Sequence, residues 1–217
     1  MNQENFHAPQ AGQVVLAPGG YWAFIPAPLP PKIDYDPGLV VRLSRADAAL
    51  SELSGLGRYM INPHLLIASY IGKEAVLSSR IEGTRAGIVD LLIDDLDTPN
   101  NHKDDDIKEV QNYIAALEYG IERLNSLPLS LRLVREIHAR LMEGVRGGNA
   151  APGEFRRSQN WIGPAGSTLA DATYVPPPPS EMMDCLGNWE MFLQESGSFP
   201  ELIQCAILHA QFEAIHP

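Results

Sequence analysis

IKEVQNYIAALEYGIERL, residues 107–124, carries the most regular pattern in the chain: Ile107, Val110, Ile114, Leu117, Ile121 and Leu124 recur in alternating steps of three and four. That period gathers the apolar side chains on one stripe of an α-helix. The run Asp104-Asp105-Asp106 stands just ahead of it. Carboxylates there match the positive end of the helix dipole, so the run reads as a solvated helix start rather than a metal site.

Helical signals continue on both sides. Leu39, Val40, Leu43 and Leu50 mark a segment closing at Gly55 and Gly57. Asn62-Pro63 then supplies a cap and a first-position proline ahead of Leu66, Tyr70, Leu77 and Ile81, with Gly83 as the stop. Beyond the central helix, Ser130 caps a helix carrying Leu133, Val134, Ile137, Leu141 and Val145, which dissolves into the glycines of VRGGNAAPGEF. Pro176 to Pro179 read as polyproline II, after which Ser180 caps a helix marked by Met182, Leu186, Trp189 and Leu193. Pro200 opens the last helix, LIQCAILHAQFEAIHP.

Two segments break the helical rhythm. Residues 1–37, with PAPLPPKIDYDP, are proline-rich and form an extended strap. From Phe155 to Val175, QNWIGPAGSTLADATYV places β-branched and aromatic residues around a Gly-Pro-Ala-Gly turn and predicts a short hairpin. The expected fold class is all-α, with one inserted β-hairpin and an extended N-terminal strap.

Composition narrows the functional classes. No apolar run approaches the roughly 20 residues that span a bilayer, and MNQENFHAPQ lacks the basic and apolar regions of a secretory signal. A cytoplasmic protein with no membrane partner is expected. Cys185 and Cys205 lack zinc-site spacing and read as reduced thiols. A formal charge of -11 disfavours a nucleic-acid partner and directs attention to small molecules and proteins.

Two constellations invite chemistry. In SSRIEGT, residues 78–84, Glu82 falls in the last turn before Gly83, where a negative side chain is disfavoured by about 0.3–1 kcal/mol. Ser78, four residues earlier, can hold its rotamer, and the unfavourable position suggests a cationic partner from another element. In the last helix His209 and His216 are seven apart with Glu213 between them, all on one helical face. Seven residues separate the imidazoles by about 10.5 Å along the axis, too far for one ion. His216, at the helix-to-loop junction before Pro217, is instead well placed as a general base. The edge Thr173-Tyr174-Val175 can pair with an extended peptide or serve as an ordinary surface loop.

Together these pieces resemble the Fic family, whose members transfer AMP from ATP to a hydroxyl on a target protein. SSRIEGT resembles the family's inhibitory-helix motif at Ser78, Glu82 and Gly83, DATYVPPPP is similar to its target-docking flap at Thr173, Tyr174 and Val175, and HAQFEAIHP resembles the approach to its signature motif. RGGNAAPGEFRRSQNWIG adds support. The resemblance implies a protein adenylyltransferase with ATP as substrate and Mg²⁺ as cofactor. Its partner is a target protein bearing a Ser, Thr or Tyr hydroxyl, and homodimers are expected as in other members. His216 is the implied base, and Glu82 the inhibitor that reaches a signature arginine and displaces the γ-phosphate of ATP. Removal of AMP from modified targets is a related activity of some members. The chain is expected to divide into a proline-rich segment 1–37, a helical region 38–100 with the inhibitory helix, and a core 101–217. His216-Pro217 is the last dipeptide, so the family's metal-binding acid, phosphate loop and arginines fall outside these residues, and no metal ligand is assigned. That leaves a second reading, an inactive regulatory or protein-binding module of the same ancestry. A transcriptional regulator is a weaker third, because the residues include no winged-helix segment.

Overall fold

The computed structural model describes residues 6–60, 63–81, 105–145, 151–164, 166–195 and 197–217. In chain order these form β1 (Gly12–Leu16), β2 (Trp22–Pro26), α1 (Pro37–Gly57), α2 (Pro63–Ile81), α3 (Asp105–Arg123), α4 (Leu131–Leu141), α5 (Pro179–Gln194) and α6 (Glu201–Ile215). Helix dominates, as the periodicity predicts. The chain divides into two compact units, one combining Met1–Leu39 with Phe155–Pro217 and the other spanning Val40–Glu154.

Local rules explain most helix boundaries. Asp36 accepts the Leu39 N–H at 2.9 Å while Pro37 occupies the first position of α1, so a side-chain cap and a pre-set φ act together. Ser130 caps α4 by accepting the Leu133 N–H at 3.4 Å. One predicted cap moves: Pro178 takes the cap of α5 and Pro179 its first turn, leaving Ser180 inside the helix. A proline lacks the N–H that the first turn leaves unbonded anyway, so it fits there.

In the Val40–Glu154 unit α3 lies against both α2 and α4. Ala75 and Val76 of α2 are buried with Val110 of α3, and Ile107, Tyr113 and Ile114 pack against them. The apolar stripe expected to bury α2 is not the buried one: Tyr70, Leu77 and Ile81 are exposed. Small Ala75 and Val76 form the contact instead. On its other side α3 approaches α4 closely at Gly120, where a Cβ would stand 2.8 Å from the Ile137 Cδ1. Asn112, buried in α3, donates to the Leu141 and Glu143 carbonyls at 3.0 and 2.8 Å, satisfying groups that the end of α4 leaves unbonded.

In the other unit the N-terminal strap is extended but not plain coil. β1 and β2 pair antiparallel, Gly12 opposite Pro26 and Leu16 opposite Trp22. GQVVL and WAFIP, flanking Ala-Pro-Gly-Gly, are short β-rich runs around a turn, a hairpin that the sequence reading passed over. The Phe24 N–H donates to the Val175 carbonyl at 2.8 Å. Further along, Asn188 exchanges hydrogen bonds with both backbone groups of Leu29, and Gln211 donates to the Ala27 carbonyl at 3.1 Å, pinning the strap to α5 and α6. α5 buries Met182, Leu186, Trp189 and Phe192, and the Trp189 indole N–H donates to the Leu208 carbonyl of α6 at 2.9 Å. Among the described residues the inserted hairpin closes through one bridge, Ile162 opposite Tyr174, with a one-turn 3₁₀ helix at Leu169–Asp171 between its arms.

Candidate functional site

α6 begins at Glu201, with Pro200 at its cap position, and ends at Ile215, whose side chain is wholly buried. His216 follows in the left-handed region at φ 48° and ψ 62°, its N–H donating to the Phe212 carbonyl at 3.0 Å. A non-glycine residue there is disfavoured by about 1–2 kcal/mol, although histidine enters the region more readily than β-branched residues. The helical offset of seven from His209 therefore does not apply to His216. The two imidazoles do not share a helical face, because the helix ends one residue earlier, and the exposed His209 and Glu213 stay on α6 itself.

Two side chains hold the backbone at this helix end. The Arg156 Nε donates to the His216 carbonyl at 2.8 Å. Its Nη2 donates to the Ile215 carbonyl at 3.3 Å and to the Pro177 carbonyl at 2.6 Å. The Tyr174 hydroxyl donates to the Ala214 carbonyl. The last carbonyls of a helix have no partners within it, and a guanidinium beside them also meets the negative end of the dipole. Burial lowers the Arg156 pKa from its ordinary value, yet a guanidinium remains charged in any accessible pH. Burial likewise pushes the Tyr174 phenol well above the usual tyrosine range, so it stays a hydrogen-bond donor.

The structure thus brings His216 and the Thr173–Val175 segment together in one unit. Within that segment Thr173 is exposed, Tyr174 half-buried and Val175 buried. The Tyr174 N–H and carbonyl both pair with Ile162, at 3.0 and 2.9 Å, and the Val175 carbonyl is taken by Phe24. Ser78 belongs to the other unit, on α2, and its hydroxyl donates to Glu74 at 2.7 Å rather than to a residue further along the helix. Glu82 and Gly83 lie outside the described residues. Among the described residues, no group of three or more His, Cys, Asp or Glu side chains gathers that can hold a metal ion, and no helix is long and apolar enough to cross a membrane.

Arg156 is the residue at this site that sequence reasoning passed over. It sits in the stretch GEFRRSQNW, and its partners are backbone carbonyls, which leave no mark in a sequence. The stretch before it is fixed separately, within the Val40–Glu154 unit. The Gly153 N–H donates to His138 Nδ1 at 3.0 Å, the Gly153 carbonyl accepts from Arg135 at 2.7 Å, and Arg135 also pairs with Glu154. Gly153 has φ +80°, which only glycine adopts freely, and a Cβ there would stand 3.0 Å from the Arg135 carbonyl.

Residues 40–122 match the Fic/DOC family N-terminal model and residues 128–217 match the Fic/DOC family model. The chain belongs to the Fic/DOC family. The first match begins where the Val40–Glu154 unit begins, and the second takes in α4, the inserted hairpin, Arg156 and His216. Among solved structures, a Fic family protein from Desulfovibrio desulfuricans G20 is similar, with a TM-score of 0.62 at 22% identity over 87% of this chain. That likeness bears on the fold. The Fic chain here spans 54% of the length of that protein.

Proposed function

We propose that this Fic chain carries the general base and the inhibitory segment of a protein adenylyltransferase. In this reading His216 takes the proton of a Ser, Thr or Tyr hydroxyl on a target protein as that oxygen bonds the α-phosphorus of ATP. The bond from the α-phosphorus to the bridging oxygen breaks, pyrophosphate leaves with that oxygen, and the proton rests on the imidazole. Thr173, Tyr174 and Val175 present the target, with exposed Thr173 its first contact. Glu82, one residue past α2, restrains ATP binding in its productive pose, residues 38–100 serving regulation and 101–217 catalysis. Mg²⁺ on the ATP phosphates accompanies such chemistry. Among the described residues no group of three or more His, Cys, Asp or Glu side chains gathers that could hold the ion.

The observation that supports this reading most is the junction itself: a histidine set just beyond a helix, its backbone fixed in one unusual geometry and tied to the Tyr174 segment. A general base must hold its position to within fractions of an ångström, and such anchoring provides it. The test is transfer of labelled AMP from ATP by the full-length protein. Glu82→Gly is expected to raise self-labelling and His216→Ala to abolish it. Equal labelling of the wild type and both variants refutes the reading and favours a protein-binding module.

A further inference from the structure

We propose that Arg156 is a positioning residue for His216, holding the backbone from which the imidazole projects. The inference deepens the general-base reading and rests on it.

Among the described residues no carboxylate pairs with Arg156. Its partners are the carbonyls of His216, Ile215 and Pro177 and, at 3.5 Å, Ser158. A surface arginine placed for solubility or for an ion pair would not spend a half-buried guanidinium on main-chain oxygens alone. The fork joins three stretches: the segment after Glu154, the polyproline exit of the inserted hairpin, and the end of α6. Only a planar fork with several fixed donors spans such a set; an ammonium offers a point charge on a flexible stem.

The effect on His216 is specific because its conformation depends on few contacts. The His216 N–H makes the last helical bond, and Pro217 has no N–H with which to continue the ladder. The left-handed φ and ψ of His216 are kept by its own N–H on Phe212 and by Arg156 on its carbonyl. Tyr174 fixes the Ala214 carbonyl, two residues earlier. Without Arg156, the peptide following His216 is free to turn toward an ordinary backbone region, and the base of the imidazole turns with it. A displacement of about 1 Å from productive geometry lowers a reaction rate by about 100-fold. Because the same guanidinium grips Pro177, the placement of the base is also tied to the segment that follows Thr173–Val175.

The experiment compares Arg156→Met and Arg156→Lys in the full-length protein, by AMP-transfer kinetics and by NMR of selectively labelled histidine. For Arg156→Met the expected result is a kcat lower by about 10- to 100-fold. KM for ATP should stay within about twofold, and the His216 resonances should shift while those of exposed His209 do not. Arg156→Lys should recover part of the kcat and part of the shift. His216 resonances unmoved in a folded Arg156→Met protein, or a loss confined to KM, overturn the proposal. Should Arg156→Met fail to fold, Arg156→Lys decides by the same readings. The histidine spectrum reads position without reference to turnover. Shifted His216 signals in a protein whose labelling is indifferent to His216→Ala therefore sustain the positioning role and reject the general-base reading.

Discussion

Replacing Tyr174 by phenylalanine removes a single oxygen and leaves the ring where it packs, its centroid 6.0 Å from that of Phe24. The lost oxygen is the donor to the Ala214 carbonyl, a group in the last turn of α6 with no other partner in a regular helix. If water reaches the carbonyl the loss is the net value of one hydrogen bond, about 1 kcal/mol; if it does not, the stranded acceptor raises it to about 3 kcal/mol. For a domain of this length each kcal/mol lowers the melting midpoint by about 2–4 °C, so a drop of about 2–12 °C at pH 7 is expected in thermal unfolding followed by circular dichroism. The pH dependence supplies a second, independent sign. Burial raises the folded-state pKa of the Tyr174 phenol, whereas in the unfolded chain it ionises near 10. Above that pH the unfolded chain releases a proton that the folded chain retains, so wild-type stability falls as pH climbs past about 10. The phenylalanine variant lacks this component, and the gap between the two proteins should narrow at high pH. Equal midpoints at pH 7 together with parallel profiles into the alkaline range would refute the assigned role of the hydroxyl.

Two further expectations concern the two units separately. Glu136 accepts from Arg123 at 2.9 Å, from Tyr119 at 2.8 Å and from Arg132 at 2.9 Å. These bonds, Arg123 foremost, hold its carboxyl down at about 2. A depressed carboxylate contributes stability that is present above the unfolded value near 4.5 and lost as pH falls toward 2. Glu136→Gln should therefore show a flatter acid limb than wild type in urea midpoints measured between these limits, and superimposable acid limbs would reject the network. Ile215 is fully buried beside the His216 junction, and Ile215→Ala should lower unfolding free energy in urea by about 2–5 kcal/mol; a change below about 0.5 kcal/mol would mean that the site is far looser than it looks.

What could be read beforehand was local. The three-four spacing from Ile107 to Leu124, the Ser130 cap and the prolines at Pro63 and Pro200 act within one or two turns, so each marks a helix whatever surrounds it. Which face of a helix is buried is a different kind of fact. The stripe Tyr70, Leu77, Ile81 is as regular as many core stripes, yet α2 meets α3 through Ala75 and Val76. A stripe shows that a face is apolar; a partner must still arrive to cover it. The N-terminal hairpin escaped notice because five-residue strands carry little periodic signal and the prolines around them suggest plain extension.

The candidate site divides the same way. His216 stood out because a histidine where a helix runs into proline is visible in the chain itself, and the family resemblance rested on that stretch and on SSRIEGT. Its left-handed backbone, the tyrosine on Ala214 and the fork of Arg156 on the carbonyls of Ile215, His216 and Pro177 came only with the tertiary structure. The sequence by itself determined where the helices run and caps such as Ser130, and it singled out His216 as the candidate base, because side-chain identity acts within a few residues. Tertiary structure decided how that residue is held. Backbone carbonyls are the same at every position, and only folding selects those that meet a guanidinium from 60 residues away.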